Sequence, residues 1–122
     1  MVIDDYDKAI KYYQSILAFE LIEDTDLDNG KRWVRISPSG YKDFALLLTK
    51  AKTEGQKKAI GNQSRGRVFL FIQTDNAIRD FNNYKSKNVA IIREPSNEPY
   101  GTVFVFQDIY GNLWDVIQPL PK

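Results

Sequence analysis

The sequence predicts an α+β fold: two pseudo-symmetric βαβββ modules forming a curved mixed sheet with helices outside, the first strand truncated. Three observations carry that prediction. Two amphipathic helical patterns recur along the chain, each is followed by a short strand and then a hairpin with a central glycine, and a Lys-, Gln-, Gly- and Ser-rich run separates the two copies. A chain of 122 residues is long enough for one compact core and too short for two ordinary domains. We therefore read one domain, with module one at about 1–50, a linker at about 51–66 and module two at about 67–122.

Met1 to Ile3 is an apolar scrap that reads as the tail of a strand. Asp4 and Asp5 then offer N-cap oxygens, and Tyr6, Ala9, Ile10, Tyr13, Ile16 and Leu17 fall at helical spacing, which predicts a helix over Tyr6 to Leu17. Phe19 to Glu23 is a short strand. The acidic spacing of Asp24, Asp26 and Asp28 resembles the start of a calcium loop, but Arg35 stands where the bidentate Glu is required, so Asn29-Gly30 is read as a hairpin turn. Lys31 to Ser37 alternates, with Trp33 and Arg35 on one face and Val34 and Ile36 on the other. Pro38 to Gly40 is a turn, and Phe44 to Leu48 an apolar strand.

Beyond the basic linker, Val68 to Gln73 (VFLFIQ) has the composition of a strand buried on both faces. Thr74-Asp75 is the expected cap of a second helix, in which Ala77, Ile78, Phe81 and Tyr84 keep helical spacing to about Lys87. Val89 to Arg93 is a strand, and Glu94 to Pro99 a loop stiffened by two prolines. Val103 to Gln118 is a hairpin turning through Asp108 to Asn112. The first helix aligns with the second at an offset of about 68 residues, with Ala9, Ile10 and Tyr13 opposite Ala77, Ile78 and Phe81.

Composition narrows the chemistry. With no cysteine and no histidine, the chain has no thiolate nucleophile, no disulfide, and neither the commonest general base nor the commonest transition-metal ligand. A net charge of +1 gives no general reason to seek nucleic acid or an anionic membrane, and the basic residues of the linker are not interleaved with aromatics. No apolar run approaches the length of a membrane span, and the start resembles no signal peptide, so a cytoplasmic protein is expected.

The stretches DDYDKAIKYYQSILAFELIED and REPSNEPYGTVFVFQDIYGNLWDVIQ, together with the repeat, resemble the vicinal oxygen chelate superfamily, which holds glyoxalase I, the bleomycin-resistance proteins and the extradiol dioxygenases. The pattern EPYGTVFVFQDxYGNxWDxIQ is fairly specific to that superfamily and to no single activity within it. The resemblance implies four inward metal ligands, drawn from His, Glu or Gln, in the metal-dependent members. Carried over by position, the first falls upstream of Ile3, the second at or next to Ala45, the third at about Val68 and the last at Asp115. Asp115 alone is a ligand type, and one carboxylate does not hold a transition metal. No cofactor is therefore expected, and no metal site beyond the weak candidate Asp115.

Two readings of Asp115 stand side by side: a carboxylate satisfied by Arg35 or another basic residue, or the polar anchor of an otherwise apolar ligand pocket. Strand alternation sets Leu113, Asp115 and Ile117 on one face and Trp114, Val116 and Gln118 on the other. If the family register holds, Val68, Leu70 and Ile72 lie beside Asp115. Trp33 and Phe104 are either core or ligand-stacking residues, Arg35 is a clamp for an anionic group or a solvated side chain, and Tyr100 borders the pocket. The expected function is metal-independent binding and sequestration of an apolar or aromatic small molecule, as in the bleomycin-resistance proteins. The alternatives are a glyoxalase-like lyase or dioxygenase with a non-standard metal site, and a degenerate domain kept for protein contact. A shortened first strand leaves a sheet edge unmated, from which a homodimer is expected.

Overall fold

The computed structural model describes residues 1–41 and 43–121. They form two compact units, Met1–Gln63 and Ser64–Lys122. The first runs β1 (Val2–Ile3), α1 (Tyr6–Ser15), β2 (Glu20–Asp26), β3 (Arg32–Ser37), β4 (Leu46–Lys50) and α2 (Glu54–Ala59); the second runs β5 (Val68–Gln73), α3 (Ala77–Ser86), β6 (Ala90–Glu98), β7 (Gly101–Gln107) and β8 (Leu113–Pro119). Each unit holds a four-stranded mixed sheet, in the order β1-β4-β3-β2 in the first and β5-β8-β7-β6 in the second. The predicted βαβββ order is thus present twice, with the opening strand of the first unit only two residues long.

In the first unit Asp5 caps α1 by accepting from the Lys8 amide at 2.9 Å, and Tyr6, Ala9, Ile10 and Tyr13 turn inward. They pack on Val34, Ile36 and Leu48, which are fully buried on one face of the sheet. Arg32 ties strand to helix: its guanidinium is bidentate on Asp24 (2.6 and 3.1 Å), donates to Asp7 at 2.9 Å, and lies 5.2 Å from the centre of the Tyr6 ring. The turn after β2 is the expected one, with Asp28, Asn29 and Gly30 all at positive φ.

In the second unit α3 covers one face of the sheet in the same way. Phe104, Phe106 and Trp114 are fully buried; Tyr84 meets both phenylalanines edge-on at 6.0 and 5.0 Å, while Phe106 stacks on the Trp114 ring at 5.9 Å. Each such side chain contributes about 1.5–3 kcal/mol by leaving water.

Several expectations are corrected. The helix cap is Asn76, whose side chain accepts from the Arg79 amide at 3.0 Å, and not Thr74-Asp75. Asp5 and Asn76, like Tyr13 and Tyr84, are 71 residues apart, so the helices align three residues away from the offset read in the sequence. Three residues is nearly one helical turn, and a periodic apolar pattern matches itself almost as well after slipping by one turn. The linker contains α2, opened by a capping box between Thr53 and Gln56. Glu94 to Pro99 is not a loop up to its end: β6 continues to Glu98 by way of register shifts around Ile92 and between Arg93 and Ser96, and as the sheet's edge strand it tolerates Pro95. VFLFIQ is also an edge strand, and it is not buried on both faces: Phe71 is 65% exposed and Val68 40%.

Candidate functional site

The turn that carries the family pattern is a structural device. The Asp108 carboxylate is buried and accepts from the amides of Tyr110 (2.9 Å) and Asn112 (3.0 Å), from the Asn112 side-chain amide (3.1 Å) and from the Trp114 indole (2.9 Å). One side chain thereby closes the β7–β8 turn and fixes the ring on which Phe106 stacks. At the far end of the hairpin the backbone approach is equally tight. Gly101 has φ +150, and a Cβ there would stand 2.2 Å from the Gln118 carbonyl oxygen. Gln118 itself turns toward the helix, where its side-chain oxygen accepts from the Ala77 amide at 2.9 Å. That places it on the face opposite Asp115, as the alternation predicts.

The face of the second sheet away from α3 presents a different set of residues. Asp115 pairs in register with Phe71 of β5 on one side and Val105 of β7 on the other, and Val105 in turn pairs with Arg93 of β6. Phe71, Asp115, Val105 and Arg93 thus form one row across the sheet. Val68 lies alongside Leu113, and Gln73 alongside Ile117, on the same face. The register slips between Val68 and Leu70, so that Leu70 pairs with buried Trp114 and Ile72 with buried Val116. Leu70 and Ile72 therefore belong to the helix side, contrary to the expectation that they flank Asp115. The bulge brings Phe71 to the place they were given.

Asp115 is half-buried, and no described side chain donates a hydrogen bond to it. Burial pushes its carboxyl above the usual value, and the Arg93 guanidinium acts in the opposite direction. Arg93 is itself engaged elsewhere, donating to the Ser96 hydroxyl at 2.8 Å and pairing with the Glu98 carboxylate. Arg35, the partner expected for Asp115, is held by Glu23 at 3.0 Å within the first unit.

The remaining candidates separate clearly. Phe104 is wholly buried between β7 and α3 and is a core residue, since its strand position alternates away from Asp115. Trp33 is 41% exposed on the open face of the first sheet, the face that also bears Arg35. Tyr100 stands exposed at the tip of the β6–β7 turn. The sequence reading missed Phe71, Arg93's pairing with Glu98, and the role of Asp108. The last was legible, because Asp-x-Tyr-Gly-Asn is a turn sequence with an Asx acceptor at its start.

Among the described residues, the positions that the resemblance assigned to ligands do not make up a donor set for a divalent metal. Pairing places Leu47 opposite Arg35 in the first unit where Asp115 stands opposite Val105 in the second, so the counterpart of Asp115 is an apolar residue two positions beyond Ala45. Val68 has no donor atom in its side chain, and among the described residues no three Asp or Glu side chains come together in a way that would hold an ion.

The comparisons agree with this architecture. A protein of Shewanella frigidimarina (strain NCIMB 400), itself uncharacterized, is 48% identical over 119 residues, spanning 97% of this chain and 88% of that protein. The crystal structure of UcmS2 superposes with a TM-score of 0.83 at 22% identity, covering 96% of this chain and 92% of that one. TnmS3, an antibiotic binding protein from Streptomyces sp. CB03234, superposes with a TM-score of 0.74 at 26% identity, covering 98% and 92%. Residues 1–116 match the family model of the Glyoxalase/Bleomycin resistance protein/Dioxygenase superfamily, and the chain belongs to that superfamily.

Proposed function

We propose that this protein binds and sequesters an apolar or aromatic small molecule without a metal, on the face of its second sheet away from α3, toward the exposed β5 edge. The observation that carries this function is the row of Phe71, Asp115 and Val105: an exposed ring and a half-buried carboxylate with no described donor, on a face otherwise lined by Val68, Leu113 and Ile117. Apolar surface with one unsatisfied polar group is the usual composition of a small-molecule site. The likeness to an antibiotic binding protein supports the same function, and so does the lack, among the described residues, of three clustered acidic side chains that could hold a metal. We further propose that the protein works as a cytoplasmic homodimer; sedimentation equilibrium of the purified chain tests the dimer directly.

Thermal unfolding in chelator against a panel of neutral and charged polycyclic aromatics tests the binding claim. A ligand at about 100 times its Kd raises Tm by roughly 3–7 °C for a domain of this size. A rise produced only by a divalent metal, and abolished by Asp115→Ala, would overturn the proposal.

A further inference from the structure

We propose that the ligand carries a positive charge beside an aromatic or apolar body, with the charge seated between the Asp115 carboxylate and the Phe71 ring. This inference rests on the binding function proposed above and names the class of ligand. Phe71 and Asp115 are register neighbours on adjacent strands, so their Cα atoms stand about 4.8 Å apart and their side chains rise from the same face. An exposed ring next to a carboxylate attracts a cation twice, through the ring's negative face and through the full charge.

The basic group nearest in register does not supply that cation. Arg93 lies two strands from Asp115, about 9–10 Å across the sheet. Its guanidinium is turned along β6 to Glu98 and Ser96, whose register partners Gly101 and Val103 place them on the same face. Arg93 and Glu98 cancel each other, and the row is left with the single negative charge of Asp115. An anionic ligand would meet that charge, offset only in part by Arg93 across the sheet, and a neutral ligand would leave a half-buried carboxylate without a close partner.

A matched pair of probes separates this inference from the function beneath it. One is a dansyl amide bearing a trimethylammonium-ethyl arm, and the other is its carbon isostere with a tert-butyl-ethyl arm. Both are titrated by fluorescence into chelated protein. The permanent charge keeps the ligand's own ionisation out of the result. The wild-type protein is expected to prefer the cationic probe by about tenfold, or about 1.4 kcal/mol. The ratio should collapse toward one in Asp115→Asn and persist in Asp115→Glu, while Glu98→Gln, which frees the Arg93 charge, should reduce it.

Equal affinity for the two probes, or a preference that survives in Asp115→Asn, overturns the cationic ligand and leaves sequestration standing. So does binding of neutral aromatics with no binding of the cationic probe. Failure of both probes and of the neutral panel overturns the function itself.

Discussion

The two units share a backbone plan but treat charge on the sheet faces away from their helices in opposite ways. In the first, the row across β2, β3 and β4 is Glu23, Arg35 and Leu47; the two charged residues pair with each other, and the apolar one occupies the position of Asp115. In the second, the corresponding row is Arg93, Val105 and Asp115, extended by Phe71; the arginine is diverted along its own strand and the carboxylate is left without a donor among the described residues. A repeat need only keep the helix-facing residues to keep its fold. Tyr13 and Tyr84, Val34 and Phe104, Ile36 and Phe106 all do so, and the opposite face is free to diverge.

The largest effect should come from a contrast between faces. Phe104→Ala removes a fully buried ring and is expected to cost about 3–5 kcal/mol in urea unfolding, while Phe71→Ala, at an exposed position, should stay within about 0.5 kcal/mol. Comparable losses at both would mean that Phe71 is part of the core. Next is Asp108→Ala, which strips four donors of their acceptor and should cost about 3 kcal/mol. A negligible loss would show that the Asp-x-Tyr-Gly-Asn turn does not hold the hairpin together.

The first unit offers a smaller, pH-dependent test. Hydrogen bonds from Arg32 hold the Asp24 carboxyl below its ordinary value of 3.8. A depressed folded-state pKa gives stability that is present above the ordinary value and is lost as pH falls through the folded one. Stability measured from pH 5 to pH 2 should therefore fall less steeply in Arg32→Met than in the parent, by at most about 1 kcal/mol because the pair lies at the surface and is partly exposed to solvent. Identical slopes would remove the ion pair from the account.

The smallest effect has the opposite sign. Burial raises the Asp115 carboxyl, so the folded state disfavours its ionised form; that penalty is present at neutral pH and disappears as pH falls below the ordinary carboxyl range. Asp115→Asn should raise Tm at pH 7 by about 1–3 °C and leave it unchanged near pH 3. A lower Tm at pH 7 would mean that the carboxylate is paired in the free protein.

How much of this was legible depends on what sets each feature. Alternation fixed the faces of β3 and β8 correctly, including Gln118 opposite Asp115, because those strands run without interruption. It failed for β5, where the bulge at Val68–Leu70 reverses the face of the residues beyond it and no turn residue marks it. The arginine partners were not legible at all. Arg35 meets Glu23 and Arg93 meets Glu98 through cross-strand and along-strand geometry that spacing does not encode. The family pattern was easy to see and easy to over-read. Its Asp, Asn and Trp hold one another in a turn, which explains why it marks the superfamily without marking an activity.

The binding face itself can be seen by amide chemical-shift mapping of chelated, isotope-labelled protein against the cationic dansyl probe. Saturable shifts are expected at Phe71, Val105, Asp115 and their neighbours on β5 and β8, with the helix-facing amides of α3 unmoved. Shifts that appear only after a divalent metal is added, or that spare β5 and β8 altogether, would contradict metal-free binding on that face.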